Sequence, residues 1–262
     1  MARGAAFFDL DKTLMEGSSA IHFGRAAHRA GMMSRRQLVA DLWANIRFRL
    51  EGATDEGTAE LRQRILDGLA GVSVRDLARL GPEVLAGILP RIYREVLEAA
   101  YRHQDEGRPA FIVTAASQEL AELLARVLVL DGAIGTRSDV KDGVYTGQPE
   151  GPFVYGEGKA VAIREMAERD GVDLEESWAY SDSVSDLPML RAVGHPVVVN
   201  PDANLTHIAR EEGWDIMRFD KLARRLRIAT AAASLAAVAG AGGYLGARLR
   251  RPSRWRRLVL SG

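Results

Sequence analysis

Cysteine is absent from all 262 residues, which excludes disulfides and thiolate metal sites and allows a reducing compartment. The five histidines, His22, His28, His103, His195 and His207, show no ligand spacing, so no histidine-based metal centre is expected. No Gly-x-Ser-x-Gly elbow occurs, which disfavours a serine hydrolase. Met1-Ala2-Arg3-Gly4 leads straight into an apolar segment with no secretory signal before it, so a cytoplasmic catalytic domain is expected. Net charge is also zero, but unevenly distributed. Ten basic residues and no acid lie from Lys221 onward, leaving residues 1–220 with 25 basic against 35 acidic side chains. An acidic body argues against nucleic acid as a partner, whereas a basic tail suits an anionic membrane surface. Within that tail Ile228 to Ala247 is free of charge for twenty residues, long enough to span a bilayer though dominated by alanine and glycine. The reading is a basic tail over 221–262 with a candidate transmembrane or interfacial helix at 228–247. It would anchor the catalytic domain to the inner face of the cell membrane.

What is present centres on Phe7-Phe8-Asp9-Leu10-Asp11-Lys12-Thr13-Leu14. The run Ala5 to Phe8 reads as a buried strand, with two carboxylates just past its end. Open α/β sheets bind ligands at that edge, and two acids so close repel unless a cation or proton lies between them. Mg²⁺ suits such a pair, since it takes oxygen ligands from one or two carboxylates together with phosphate oxygens. Three later stretches share the character. Phe111-Ile112-Val113-Thr114 is an apolar strand ending in a hydroxyl, Gly158-Lys159 opens a helical pattern, and Trp178 to Asp186 is a strand ending in two acids. Lys159 does not belong to a P-loop, because Phe153 stands where the required glycine would be and Ala160 follows it.

In order and spacing these four stretches resemble the four motifs of the haloacid dehalogenase (HAD) superfamily, over roughly residues 5 to 219. The resemblance implies a phosphatase. Asp9 would be the nucleophile that forms an aspartyl-phosphate, and Asp11 the general acid and base. Thr114, with neighbouring amides such as that of Ala115, and Lys159 would hold the phosphoryl oxygens. The implied Mg²⁺ ligands are Asp9, the carbonyl of Asp11 and Asp182, with Asp186 as a water-mediated or orienting partner.

Strands alternating with helices after Pro109 predict an α/β fold with a doubly wound parallel sheet. The expected elements include a hairpin turning at Asp142-Gly143, a helix from Gln118 to Leu130 and a strand at 178–181. From Ser18 to Glu106 the pattern is helical. One helix is expected after Ser34 through Leu50, a second from Thr54, a short third from Ser73, and a long fourth from Pro82 through Val96. In the superfamily an insertion here is a helical cap. The expected domains are therefore a core of 1–17 and 107–220, a cap of 18–106, the tail, and a C-terminal apolar helix within it. The branch most resembled contains phosphoserine phosphatase, through the cap, Leu61-Arg62-Gln63-Arg64 and Asp142 to Gly147, with Arg64 where that enzyme has a substrate-carboxylate arginine. Ser18 replaces its amine-binding glutamate, Ala115-Ala116 a Gly-Gly pair, and Ser185 an asparagine. The expected substrate is a small-molecule or lipid phosphomonoester other than phosphoserine. Phosphoserine itself and a membrane-tethered non-catalytic binding role are the alternatives.

Overall fold

Short apolar runs become the strands, and the polar residues after them become an open edge. The structure, a computed structural model, describes residues 3–34, 36, 40 and 55–219. Strands β1 (Ala6–Asp9), β2 (Ala110–Ser117), β3 (Gly132–Lys141), β4 (Val144–Glu150), β5 (Trp178–Ser181), β6 (His195–Val199) and β7 (Asp215–Met217) form one sheet, ordered β4-β3-β2-β1-β5-β6-β7. Neighbours are parallel except at the β3–β4 hairpin. β1, buried throughout, lies between β2 and β5. The chain departs from it to either side, and that reversal opens a crevice at the carboxyl ends of the strands.

The helices are α1 (Ser19–Arg29), α2 (Asp55–Leu69), α3 (Val74–Arg79), α4 (Gly81–Ile88), α5 (Arg94–Asp105), α6 (Gln118–Val127), α7 (Glu157–Asp170), α8 (Leu187–Leu190) and α9 (Ala203–Glu211). Strand periodicity sorts the core. Phe7 joins a cluster with Ile163 and Met166 of α7, Met189 of α8 and Leu205 of α9. Phe8 faces the other way, stacked on Tyr180 at 4.4 Å and edge-on to His103 of α5. Residues Met1–Arg218 gather into one compact unit.

The hairpin turns where Asp-Gly predicted, with φ of 53° at Asp142 and 77° at Gly143, the pair of positive values a type I′ turn needs. Three expectations are corrected. The long helix from Pro82 is broken: α4 ends at Ile88, a 3₁₀ turn covers Leu89–Arg91, and α5 begins at Arg94. Pro90 lacks the N–H that helix continuation would need. The freed segment pairs with the loop after β1 instead, Tyr93 N–H donating to Leu14 O and Glu16 N–H to Arg91 O, each at 2.8 Å. Second, the helix after Ser117 stops at Val127 and not at Leu130, and Val129 takes a positive φ of 57°. Third, the strand expected to end at Thr114 runs on to Ser117, where after a shift of register it pairs with Thr136 of β3. The helix expected from Ser34 to Leu50 and the apolar helix at 228–247 lie outside the described residues. Among the described residues no helix is long and apolar enough to cross a membrane.

Candidate active site

Register brings the acidic and hydroxyl side chains together. Asp9 pairs with Val113, one residue before Thr114, and Phe8 pairs with Tyr180, one residue before Ser181. Asp9 thus ends β1 level with Val113, and Thr114 within β2 and Asp182 just past β5 each lie one residue farther along the two flanking strands. The first turn of α7 supplies Lys159. Gly158 makes this seat: a Cβ there would lie 1.8 Å from the Phe153 carbonyl oxygen, so only glycine lets that loop close over the helix start.

Lys159 is 3% exposed, and its Nζ donates to Asp9 Oδ1 at 2.5 Å and to Asp186 Oδ2 at 2.7 Å. Ser181 Oγ also donates to Asp186 Oδ2, at 2.7 Å. Thr13 joins the first and last motifs: its Oγ1 accepts from Asp182 N–H at 2.9 Å and donates to Asp182 Oδ1 at 3.2 Å. Thr114, buried, accepts from Ala116 N–H at 3.2 Å, which leaves its hydroxyl proton to donate. Ala115 is half-buried beside it.

Two residues stand differently from the simplest sequence reading. β1 ends at Asp9, and the chain then turns, Leu14 N–H donating to Asp9 O at 3.2 Å, with Lys12 at a φ of 63°. Asp11 therefore does not continue an extended strand. Its carboxylate accepts from Ser18 Oγ at 2.7 Å and Ser19 N–H at 2.8 Å, at the start of α1. Arg64 is exposed on α2 and lies 3.8 Å from Glu60, one turn back on the same helix. Ser18 and Ser181 escaped the sequence reading as site residues, although hydroxyls at a helix start and at a strand end were the available signals.

Burial, opposed chiefly by Lys159, pushes Asp9 up to about 7, with Asp186 and Asp182 adding to the rise. Burial likewise raises Asp182 to about 6, against the pull of Lys12. Burial works against the charge of Lys159, but Asp186 and Asp9 outweigh it and hold the ammonium firmly protonated. One buried ammonium thus stands among three carboxylates, and burial first, then repulsion from neighbouring carboxylates, keep Asp9 and Asp182 raised. Among the described residues no group of three or more His, Cys, Asp or Glu is arranged to hold a metal by side chains alone. Asp186 is taken up by Lys159 and Ser181, and the Asp11 carboxylate by α1. Asp9, whose Oδ1 Lys159 also holds, and Asp182, whose Oδ1 Thr13 holds, are the two acids raised by burial, hard oxygen donors that fit a divalent cation completed by backbone, water or phosphate oxygens.

A family model described as haloacid dehalogenase-like hydrolase matches residues 6–191. The chain belongs to that family. Phosphoserine phosphatase SerB1 of Mycobacterium tuberculosis (strain ATCC 25618 / H37Rv) is 41% identical to this hydrolase over 253 residues, covering 95% of this chain and 82% of that one. A probable phosphatase of the same strain is 39% identical over 244 residues, covering 92% and 85%. Among solved structures, a protein of unknown function from Bordetella pertussis Tohama I matches this HAD-like hydrolase with a TM-score of 0.73 at 28% identity, over 83% of this chain and 99% of that one. A phospho-aspartyl intermediate analogue of phosphoserine phosphatase matches with a TM-score of 0.60 at 20% identity, over 86% and 98%, a likeness of fold alone.

Proposed function

We propose that this hydrolase is a Mg²⁺-dependent phosphomonoesterase working through an aspartyl-phosphate on Asp9. The observation that carries the reading is the buried Lys159 bridging Asp9 and Asp186, with Thr114 buried on the neighbouring strand one residue past the partner of Asp9. Mg²⁺, held by Asp9, Asp182 and the Asp11 carbonyl, would neutralise phosphoryl oxygens and the local excess of carboxylate. Asp9 attacks phosphorus in line while Thr114, the amides at Ala115 and Ala116, and Lys159 hold the equatorial oxygens. Asp11 protonates the leaving oxygen and then takes a proton from the water that hydrolyses the acyl phosphate. Residues 18–106 would act as the cap over this crevice.

The test is turnover of phenyl phosphate with and without Mg²⁺, together with acid-quenched phospho-peptide mapping. Asp9→Asn is expected to lose at least about 10³-fold of the activity and all of the label. Turnover that survives this change sinks the proposal.

Phosphoserine is the second reading, favoured by the 41% identity to SerB1. Against it stand Ser18, buried and bonded to Asp11 where an amine's counter-charge would be needed, and Arg64, exposed and facing Glu60. A panel of phosphomonoesters decides between them. A lipid or other membrane-associated substrate rests on the composition of the tail, and comparing vesicle-borne with soluble phosphates tests it. The non-catalytic alternative is set aside, since the acid pair and the lysine are intact in a hydrolase family member.

A further inference from the structure

A stripe of α1 runs outward from Asp11. Ser18, at the N-cap, gives its hydroxyl to that carboxylate, and His22 and Arg25 follow at i+4 and i+7, on the same helix face. Ser18 is buried, His22 half-buried and Arg25 exposed, so the stripe climbs from the reacting acid to the surface. Arg91 joins it from the other crossing between sheet and helices, its Nη1 donating to Gly87 O at 2.7 Å. Gly87 is where α4 meets the histidine: a Cβ there would lie 2.3 Å from His22 Nδ1, so glycine is what lets the ring seat against the helix.

Besides burial, the charges of Arg91 and Arg25 hold His22 below the usual imidazole range, while Asp11 pulls the other way. These groups therefore share one electrostatic neighbourhood. Neither arginine has a carboxylate partner among the described residues. Like charges gathered beside a half-buried ring repel, and an anion would relieve the repulsion.

We infer that Arg25, Arg91 and His22 form a subsite for a second anionic group, carried by the alcohol part of the phosphomonoester. The inference rests on the phosphatase reading and narrows its substrate class. Asp11 protonates the leaving oxygen, and Ser18 touches Asp11, so the alcohol lies against the foot of this stripe. An anionic substituent on it would reach the guanidinium groups above. Arg64 takes no part.

The experiment compares phenyl phosphate with 4-carboxyphenyl phosphate in the full chain with Mg²⁺, for the wild type, Arg25→Gln, Arg91→Gln and Arg91→Lys. The ratio of kcat/KM for the carboxylated over the plain ester is expected to exceed one in the wild type. It should fall about tenfold in Arg91→Gln and severalfold in Arg25→Gln, through KM more than kcat, as the loss of a charge-assisted contact predicts. Arg91→Lys should keep most of the preference. A ratio unmoved by both glutamine variants, or a loss of kcat shared equally by the two esters, overturns the subsite. If the wild type shows no Asp9-dependent turnover of either ester, the phosphatase reading itself fails and takes the subsite with it. That result differs visibly from active enzyme with an unchanged preference.

Discussion

Among the described residues Lys159 carries the heaviest electrostatic duty, because one ammonium stands between two carboxylates with almost no water to share the charge. Removing it leaves Asp9 and Asp186 buried and uncompensated. Lys159→Met is therefore expected to lower unfolding stability by about 3–5 kcal/mol, measured by urea denaturation, and to abolish turnover. Adding Asp186→Asn to that variant should return part of the stability and none of the activity. If the single variant unfolds like the wild type, the pairing described here is wrong. In the sequence Asp9, Lys159 and Asp182 stand out because each closes an apolar strand or opens a helix, whereas Thr114, read there as a strand end, lies inside β2. The hold of Ser18 on Asp11 does not stand out, since it closes the β1–α1 connection on itself through the turn at Lys12. Arg64 shows the opposite failure. A matching position in the sequence does not say where a long exposed side chain will point.

At the scale of elements, α5 is fastened to the sheet by His103. Arg108 Nε donates to His103 Nδ1 at 2.9 Å, and since a guanidinium cannot accept, that nitrogen carries the lone pair. Nε2 therefore bears the proton and faces Tyr180 Oη at 2.9 Å. Burial first, then the Arg108 charge, pushes His103 down to about 4 from 6.5. A histidine with a depressed folded pKa binds more protons when unfolded between those two values, so its contribution is complete above about pH 6.5 and is lost as pH falls toward 4. Between pH 7 and pH 5 the urea midpoint of the wild type should accordingly fall relative to that of His103→Gln, whatever Asp9 and Asp182 add to both. Equal slopes would remove His103 from the account. Such a contact is invisible in the sequence, where His103 reads as one more residue of a helical pattern. The break before α5 was visible in principle: Pro90 sits inside the apolar periodicity that suggested one long helix, and a missing N–H outweighs that periodicity.

For the whole molecule, the question is how the helices between β1 and β2 are tied to the sheet. One tie is the pair of crossings at residues 14–16 and 91–93, which hydrogen-bond to each other. Another is the β3–β4 hairpin, which reaches the α2–α3 link. Gly71 N–H donates to Tyr145 O at 2.9 Å, Tyr145 N–H to Val72 O at 3.0 Å, and Val74 N–H to Gly143 O at 3.0 Å. Tyr145 is also 1% exposed, so the hairpin closes over apolar contact as well as backbone bonds. Any movement of α2 and α3 away from the sheet must either carry the hairpin along or break these bonds. Gly143, at a φ of 77°, is the place to weaken the tie from a distance, since a β-carbon there strains the turn by on the order of 1 kcal/mol. In Gly143→Ala, hydrogen exchange is expected to quicken at Gly71, Val74 and Tyr145 together, by roughly fivefold for each kcal/mol lost. The amide of Phe8, in the centre of the sheet, should keep its protection. If Gly71 and Val74 exchange as they do in the wild type while Tyr145 alone speeds up, hairpin and helices open separately, and the second tie holds nothing.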